Sequence, residues 1–181
     1  MIPGFLILIV INLGVFFLPY IVDFSAKGYS SFDRFLTLGW KDNSDIKSGE
    51  FYRLITAMFL HADGFHLFSN MYALYIFGAN FSAINPLIFI SVYFIAGICG
   101  NLASFFFDPR PTVGASGAIF GLVGFLLALS LISGVSSSIV SLGLYIVLSF
   151  VLANMPGSRI DIAGHFGGLA AGFIIAIILG F

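Results

Sequence analysis

The chain is poor in charge. Of its 181 residues only 8% are charged while 60% are hydrophobic, and the mean hydropathy is +1.10. A soluble domain of this length cannot hide so much apolar surface. The net charge is −1, which gives no basic footprint for nucleic acid. There is one cysteine, Cys99, in the middle of an apolar run, so an intramolecular disulfide is excluded and cysteine usage does not report the compartment. Short alternating strands, the mark of an outer-membrane barrel, are absent. So is a His-Glu-x-x-His metalloprotease pattern, and, apart from Asp161 at the very start of the sixth, so is any charged residue inside the last four apolar runs, where ion-coupled transporters often carry them.

What the sequence does have is six apolar runs, at about 4–22, 66–82, 86–106, 115–133, 138–154 and 161–180. Runs near ~20 residues fit helices crossing a hydrocarbon core of about 30 Å. The expected fold is therefore an all-α integral membrane protein, a six-transmembrane helical bundle forming one domain over 1–181. The first run has no basic flank before it and no small-residue cleavage site, so it is read as a span and not as a signal peptide.

Lys and Arg fall in three connections. Lys27, Arg34, Lys41, Lys47 and Arg53 lie between runs one and two, Arg110 between three and four, and Arg159 between five and six. The acidic residues follow the same stretches. With alternating spans these connections share one side of the membrane, and Ser116, His165, His61 and His66 gather there too. The first connection, about 23–65, is too long for a plain turn. Trp40, Phe51, Tyr52 and Arg53 mark a folded or partly embedded element within it, either an interfacial anchor or a part of the site.

Three polar clusters sit at the mouths of the runs. In His61-x4-His66-x3-Asn70, His66 and Asn70 are one helical turn apart on one face. Both can donate hydrogen bonds, as an oxyanion hole requires. Zinc ligation by His61, His66 and His165 and plain interhelical packing are the competing readings. In Gly114-Ala115-Ser116-Gly117, a hydroxyl stands where a helix begins and first-turn N–H groups are unpaired. Gly117, Gly121, Gly124 and Ala128 form a small-residue stripe, which would equally serve packing alone. The pattern is not the Gly-x-Ser-x-Gly elbow, since position 118 is Ala. In Gly164-His165-Phe166-Gly167-Gly168, positions 165, 168 and 172 share a face, so His165 stands over a glycine groove. Two such smooth helices can bring a serine and an imidazole within reach. Asp161 lies one turn before His165, and Ser158-x-x-Asp161 reads as a capping-box variant.

In this order, the clusters resemble the rhomboid family of intramembrane serine proteases, and the resemblance covers nearly the whole chain in its minimal six-span core form. It rests on the six spans, Glu50-Phe51-Tyr52-Arg53, His61-x4-His66-x3-Asn70, Gly114-Ala115-Ser116-Gly117 and His165-x-x-Gly168. It implies Ser116 as nucleophile and His165 as general base. It implies His66, Asn70 and the Ser116 N–H as oxyanion donors, and Phe120 as the aromatic ring on the imidazole. Gly114, Ala115, Gly117, His61 and Gly168 support the site. The implied partners are transmembrane protein substrates and membrane lipids, with no cofactor, metal or nucleic acid. Tyr52 stands where the family usually has tryptophan, and Gly164 where it usually has alanine; neither change removes a catalytic group. The family topology puts the charged connections outside a prokaryotic cell membrane, with the site opening to that face. The positive-inside rule votes the other way.

Overall fold

The computed structural model describes residues 3–25, 28, 30–82, 85–135, 141–142, 144–149 and 160–180. Five long helices begin where the sequence supplies a start signal or a glycine-rich run: α1 Gly4–Ile21, α5 Gly64–Ser82, α6 Pro86–Phe107, α7 Ser116–Ser133 and α8 Ile162–Ile178. Between α1 and α5 lie three short helices, α2 Ser31–Thr37, α3 Asn43–Lys47 and α4 Arg53–Thr56, and a 3-10 turn Ala57–Phe59. Asp63 accepts the His66 amide at 2.8 Å and caps α5. Asn85 accepts the Leu87 amide at 2.8 Å ahead of Pro86 and caps α6. Asp161 accepts the Gly164 amide at 2.8 Å and caps α8. Each capping oxygen satisfies a first-turn donor that has no partner in its own helix. Helix α7 ends on Gly134 at φ 69°, the left-handed position that glycine takes without strain.

The all-α membrane bundle is as expected. Helices α1, α6 and α7 are long and apolar enough to span a bilayer, and α8 is a shorter apolar helix of 17 residues. Helix α5 has 19 residues, with His66, Asn70 and Asn80 lowering its hydropathy. The expected fifth span, 138–154, falls largely outside the described residues; 141–142 and 144–149 are helical. Among the described residues the one bridge outside helices joins Lys41 to Thr112.

The bundle centres on α6, α7 and α8, which make its most extensive contacts. In lipid no hydrophobic force draws helices together, so close van der Waals approach must do it, and small residues permit that approach. Glycines supply it here. A methyl group added at Gly168 would run into the Gly117 carbonyl, one at Gly172 into the Gly121 carbonyl, and one at Gly124 into the Leu169 carbonyl. Gly117 faces Gly164 and Gly168, and Gly121, one turn on, faces Gly168 and Gly172, so α7 and α8 run parallel and start at the same end. Helix α6 runs antiparallel as the third wall: a Cβ at Gly100 would lie 2.7 Å from the Gly164 carbonyl, and one at Gly121 would strike Ala96.

The first connection folds around Arg53, whose side chain is 7% exposed. Its guanidinium meets Asp45 at 2.9 Å and Glu50 at 2.7 Å, and donates to the carbonyls of Thr37 and Trp40 at 2.9 and 3.1 Å. Phe51 and Tyr52 stay exposed at its surface, as rings in a headgroup zone do. Asn101 on α6 donates to the Leu54 carbonyl at 2.8 Å and ties this connection to the bundle.

The glycine seam yields a prediction. Gly172→Val should lower the melting temperature in detergent by overpacking α7 against α8, at a cost of about 1–3 kcal/mol or more. Gly14→Ala, where a methyl group meets open space, should be neutral or stabilising by up to about 1 kcal/mol. Equal melting temperatures for Gly172→Val and wild type would contradict the packing account.

Candidate active site

Ser116 is the first residue of α7, and unlike α5, α6 and α8 this helix has no side-chain cap at its N-terminus among the described residues. Its first turn bond runs from the Ile119 amide to the Ala115 carbonyl at 3.0 Å. The amides of Ser116, Gly117 and Ala118 precede that bond, so they are the donors a helix leaves unpaired, and they carry the positive end of its dipole. Gly114 brings the chain in at φ 127°, a conformation that side chains rarely adopt. Its amide donates to the Ala57 carbonyl at 2.9 Å. Ala115, fully buried, is the residue that turns this loop into the helix.

His165 sits in the first turn of α8 and is buried at 8% exposure. Its ring stacks on Phe120, one turn after Ser116, with centroids 4.3 Å apart and planes 17° from parallel. Phe120 in turn meets Tyr145 at 5.6 Å. Ser116 and His165 line one narrow cleft, together with Gly114, Gly117, Gly164, Asn101, Thr112 and Asp161. Its volume is ≈ 10 Å³, about what one water needs. Asp161 spends its carboxylate on the Gly164 amide, and the His165 Nδ1 has no hydrogen-bond partner among the described residues. Asp161 therefore caps, as its position in the sequence suggested, and does not orient the imidazole as a third triad member would. Ser158, the other half of the expected capping box, lies outside the described residues.

His66 on α5 comes up behind Gly114, and neither it nor Asn70 is among the residues that line the cleft. A Cβ built on Gly114 would lie 2.8 Å from His66 Nε2 and 3.8 Å from Ser116 Oγ. Those two atoms are thus no farther apart than the sum of the distances, and any side chain at 114 would collide with the imidazole. His61 is fully buried and meets His66 edge to face with centroids 5.1 Å apart. Asn70 is buried, and its Nδ2 donates to the His66 carbonyl at 2.9 Å, leaving one amide hydrogen for another acceptor. Gly168 does not line the cleft. It sits one turn below His165, against the Gly117 backbone. Among the described residues no group of three His, Cys, Asp or Glu is placed to hold a metal ion, so the zinc reading of His61, His66 and His165 finds no geometric support.

Two features escape sequence reasoning. The α6 wall had a signal, the small-residue spacing Ala96-Gly97-x2-Gly100-x2-Ala103. Lys41 had none: a lysine in a polar connection reads as solvated, yet it is 0% exposed. Its Nζ donates to the Asp108 and Arg110 carbonyls at 2.7 and 2.9 Å. Burial pushes its pKa down, against the pull of Asp161, Asp108 and Asp42. Arg110 pairs with Asp108 at 2.6 Å and reaches the Ile160 carbonyl at 3.4 Å. All three charged connections thus meet at one end of the bundle.

An apolar all-α bundle with a serine, an imidazole and uncapped helix donors converging at one end defines an integral membrane protein with a candidate hydrolytic site. The chain belongs to the rhomboid family: the family model for the Rhomboid domain matches residues 48–180. It is similar to Rhomboid protease GluP of Bacillus subtilis (strain 168), 38% identical over 160 residues, 84% of this chain and 31% of that protein. RHOMBOID-like protein 5 of Arabidopsis thaliana is 34% identical over 151 residues, 78% of this chain and 48% of that protein. Rhomboid-like protease 1 of Toxoplasma gondii is 35% identical over 144 residues, 74% of this chain and 48% of that protein. The chain spans between 31% and 48% of the length of these relatives.

The pairing of His61 with His66 has a pH consequence. Burial, and then the neighbouring His66, push the His61 imidazole down from 6.5 to about 3, with the Phe59 backbone and Asp63 opposing. Between these pH values the unfolded chain binds a proton that the folded one refuses. The stabilisation is therefore complete above about 6.5 and fades as the pH falls toward about 3. His61→Leu should flatten the fall in melting temperature between about pH 7 and pH 4. Parallel curves for variant and wild type would remove His61 from the acid response.

Proposed function

We propose that this protein is a serine endopeptidase that hydrolyses peptide bonds in or beside the spans of transmembrane proteins, using a Ser116–His165 dyad. The observation that carries this reading is the shared cleft. The first residue of an uncapped helix and an imidazole fixed by ring stacking line it together. The names of two relatives, a rhomboid protease and a rhomboid-like protease, support the same reading.

Ser116 Oγ attacks the scissile carbonyl while His165 takes its proton. Negative charge then develops on the substrate oxygen, beside the free amides of Ser116 and Gly117 and the His66 and Asn70 side chains. In this reading these donors stabilise that charge in the transition state. His165 next delivers its proton to the leaving amine as the C–N bond breaks. Water, activated by the same imidazole, releases the acyl group from Ser116. Phe120 and Gly168 keep the ring over its groove, Gly114 and Ala115 set the turn into Ser116, Gly117 admits close approach of α8, and His61 backs His66. A helical substrate hides its peptide bonds in its own hydrogen bonds, so it must unwind locally, and helix-weakening residues should mark good substrates. A cleft with room for one water does not hold a peptide, so an element must move to admit it.

The single domain over 1–181, membrane lipids as surroundings, and a site opening on the outer face of a prokaryotic cell membrane belong to the same proposal. A topology assay with reporters in the 22–63 connection tests that orientation against the positive-inside vote.

Fluorophosphonate or isocoumarin labelling is the direct test of the chemistry. Wild type should label at Ser116, and Ser116→Ala should not. Ser116→Ala and His165→Ala should abolish cleavage of a transmembrane substrate while remaining folded. His66→Ala and Asn70→Ala should each cost about 10- to 1000-fold in rate. Turnover at the wild-type rate by either dyad variant would defeat the dyad. Absence of labelling in folded wild type would favour a non-catalytic protein that binds membrane clients.

A further inference from the structure

We infer that Lys41 is a positioning residue: its buried ammonium clasps the 108–112 loop and so sets where Ser116 enters the cleft. The inference rests on the function proposed for that cleft.

The loop Asp108-Pro109-Arg110-Pro111-Thr112 links α6 to the turn before Ser116. Pro109 and Pro111 have no N–H, so this segment has few donors with which to organise itself. Its carbonyls still need partners. The two that precede the prolines, those of Asp108 and Arg110, both receive Lys41 Nζ, at 2.7 and 2.9 Å. The Lys41 backbone completes the grip. Its amide donates to the Thr112 carbonyl at 2.9 Å, and the Thr112 amide returns to the Lys41 carbonyl at 3.0 Å. Thr112 lines the cleft with Ser116 and His165, and two residues on stands Gly114, whose amide is held by the Ala57 carbonyl.

A fully buried lysine is costly unless it is paired and hydrogen-bonded. Here its bonds run to loop carbonyls and not to the helices. The helices α6, α7 and α8 are already locked by their glycine contacts, which Lys41 does not touch. Removing the ammonium should therefore displace the Ser116 approach while the bundle stays assembled. A displacement on the order of 1 Å costs up to about 100-fold in rate.

The test uses the full chain in detergent or bilayers, with Lys41→Met as the main variant. Expected results are a roughly 10- to 100-fold slower reaction of Ser116 with a fluorophosphonate, a lower kcat at little-changed KM for a transmembrane substrate, and faster hydrogen exchange at Thr112 and Gly114. Lys41→Gln, which keeps a donor on a shorter arm, should fall between Lys41→Met and wild type, and it carries the test should Lys41→Met fail to fold. Thr56→Val is the comparison variant. It removes a bond inside the same connection, from Thr56 Oγ1 to the Gly39 carbonyl at 2.8 Å, and should label at the wild-type rate. Wild-type labelling by Lys41→Met, or equal slowing by Thr56→Val, would overturn the inference. Should wild type neither label nor cleave, the proposed function falls by itself. Hydrogen exchange then still decides the clasp: unchanged protection at Thr112 and Gly114 in Lys41→Met refutes it, and faster exchange sustains it.

Discussion

Backbone-to-backbone contact between α7 and α8 is the constraint on which the candidate site depends. Gly117 and Gly121 on one helix face Gly164, Gly168 and Gly172 on the other, with no side chain between the main chains. The two helices run parallel, so their first turns lie at the same height. Ser116 opens one and His165 stands in the first turn of the other, and the cleft they share follows from that alignment. A side chain anywhere along the seam would separate the helices and the two groups together. The third wall, α6, reaches the same seam through Gly100 and Ala96, so three helices converge where most bundles would place bulky residues.

Parallel packing has an electrostatic cost. It sets two positive helix ends side by side. On α8 the Asp161 carboxylate occupies that end by capping the Gly164 amide. On α7 no side chain among the described residues does. The uncapped end keeps its donors and its field available beside Ser116, where an oxyanion would form in the proposed reaction. The same division explains how His165 is held without a carboxylate. Asp161 is committed to the cap, and ring stacking on Phe120 fixes the plane of the imidazole instead.

Much of this was legible in the residues. Apolar run lengths placed the ends of α1, α5, α6, α7 and α8 within a few positions, because span length is set by the bilayer and not by tertiary detail. The glycine spacing on α7 and α8 announced smooth faces, and those faces are what meet. His66 and Asn70 were readable as one face of a helix. That Asn70 turns its amide to the His66 carbonyl was not, since a polar group near lipid can satisfy itself on its own backbone or on a neighbour, and spacing does not choose. Lys41 was invisible for a stronger reason. Its burial depends on carbonyls 67 and 69 residues away, and nothing local distinguishes it from the solvated Lys47 nearby. The α6 stripe lay in plain view and lacked only the polar residues that drew attention to the other two.

The polar end of the molecule is best understood as a second structural unit laid across the first. Apolar helices fix His165 and the axis of α7 by shape alone. The connection between α1 and α5 works through charge: Arg53 gathers Asp45, Glu50 and two carbonyls, while Lys41 gathers two more. Each buried cation is matched by acceptors within hydrogen-bond reach, so the burial of charge is compensated locally. The two units meet along a line from Thr112 through Gly114 to His66. Gly114 must be glycine on this line twice over, for its φ of 127° and for the imidazole 2.8 Å from where a Cβ would stand. Ser116 is therefore positioned from both sides. Its helix belongs to the glycine bundle, and its approach belongs to the charged connection.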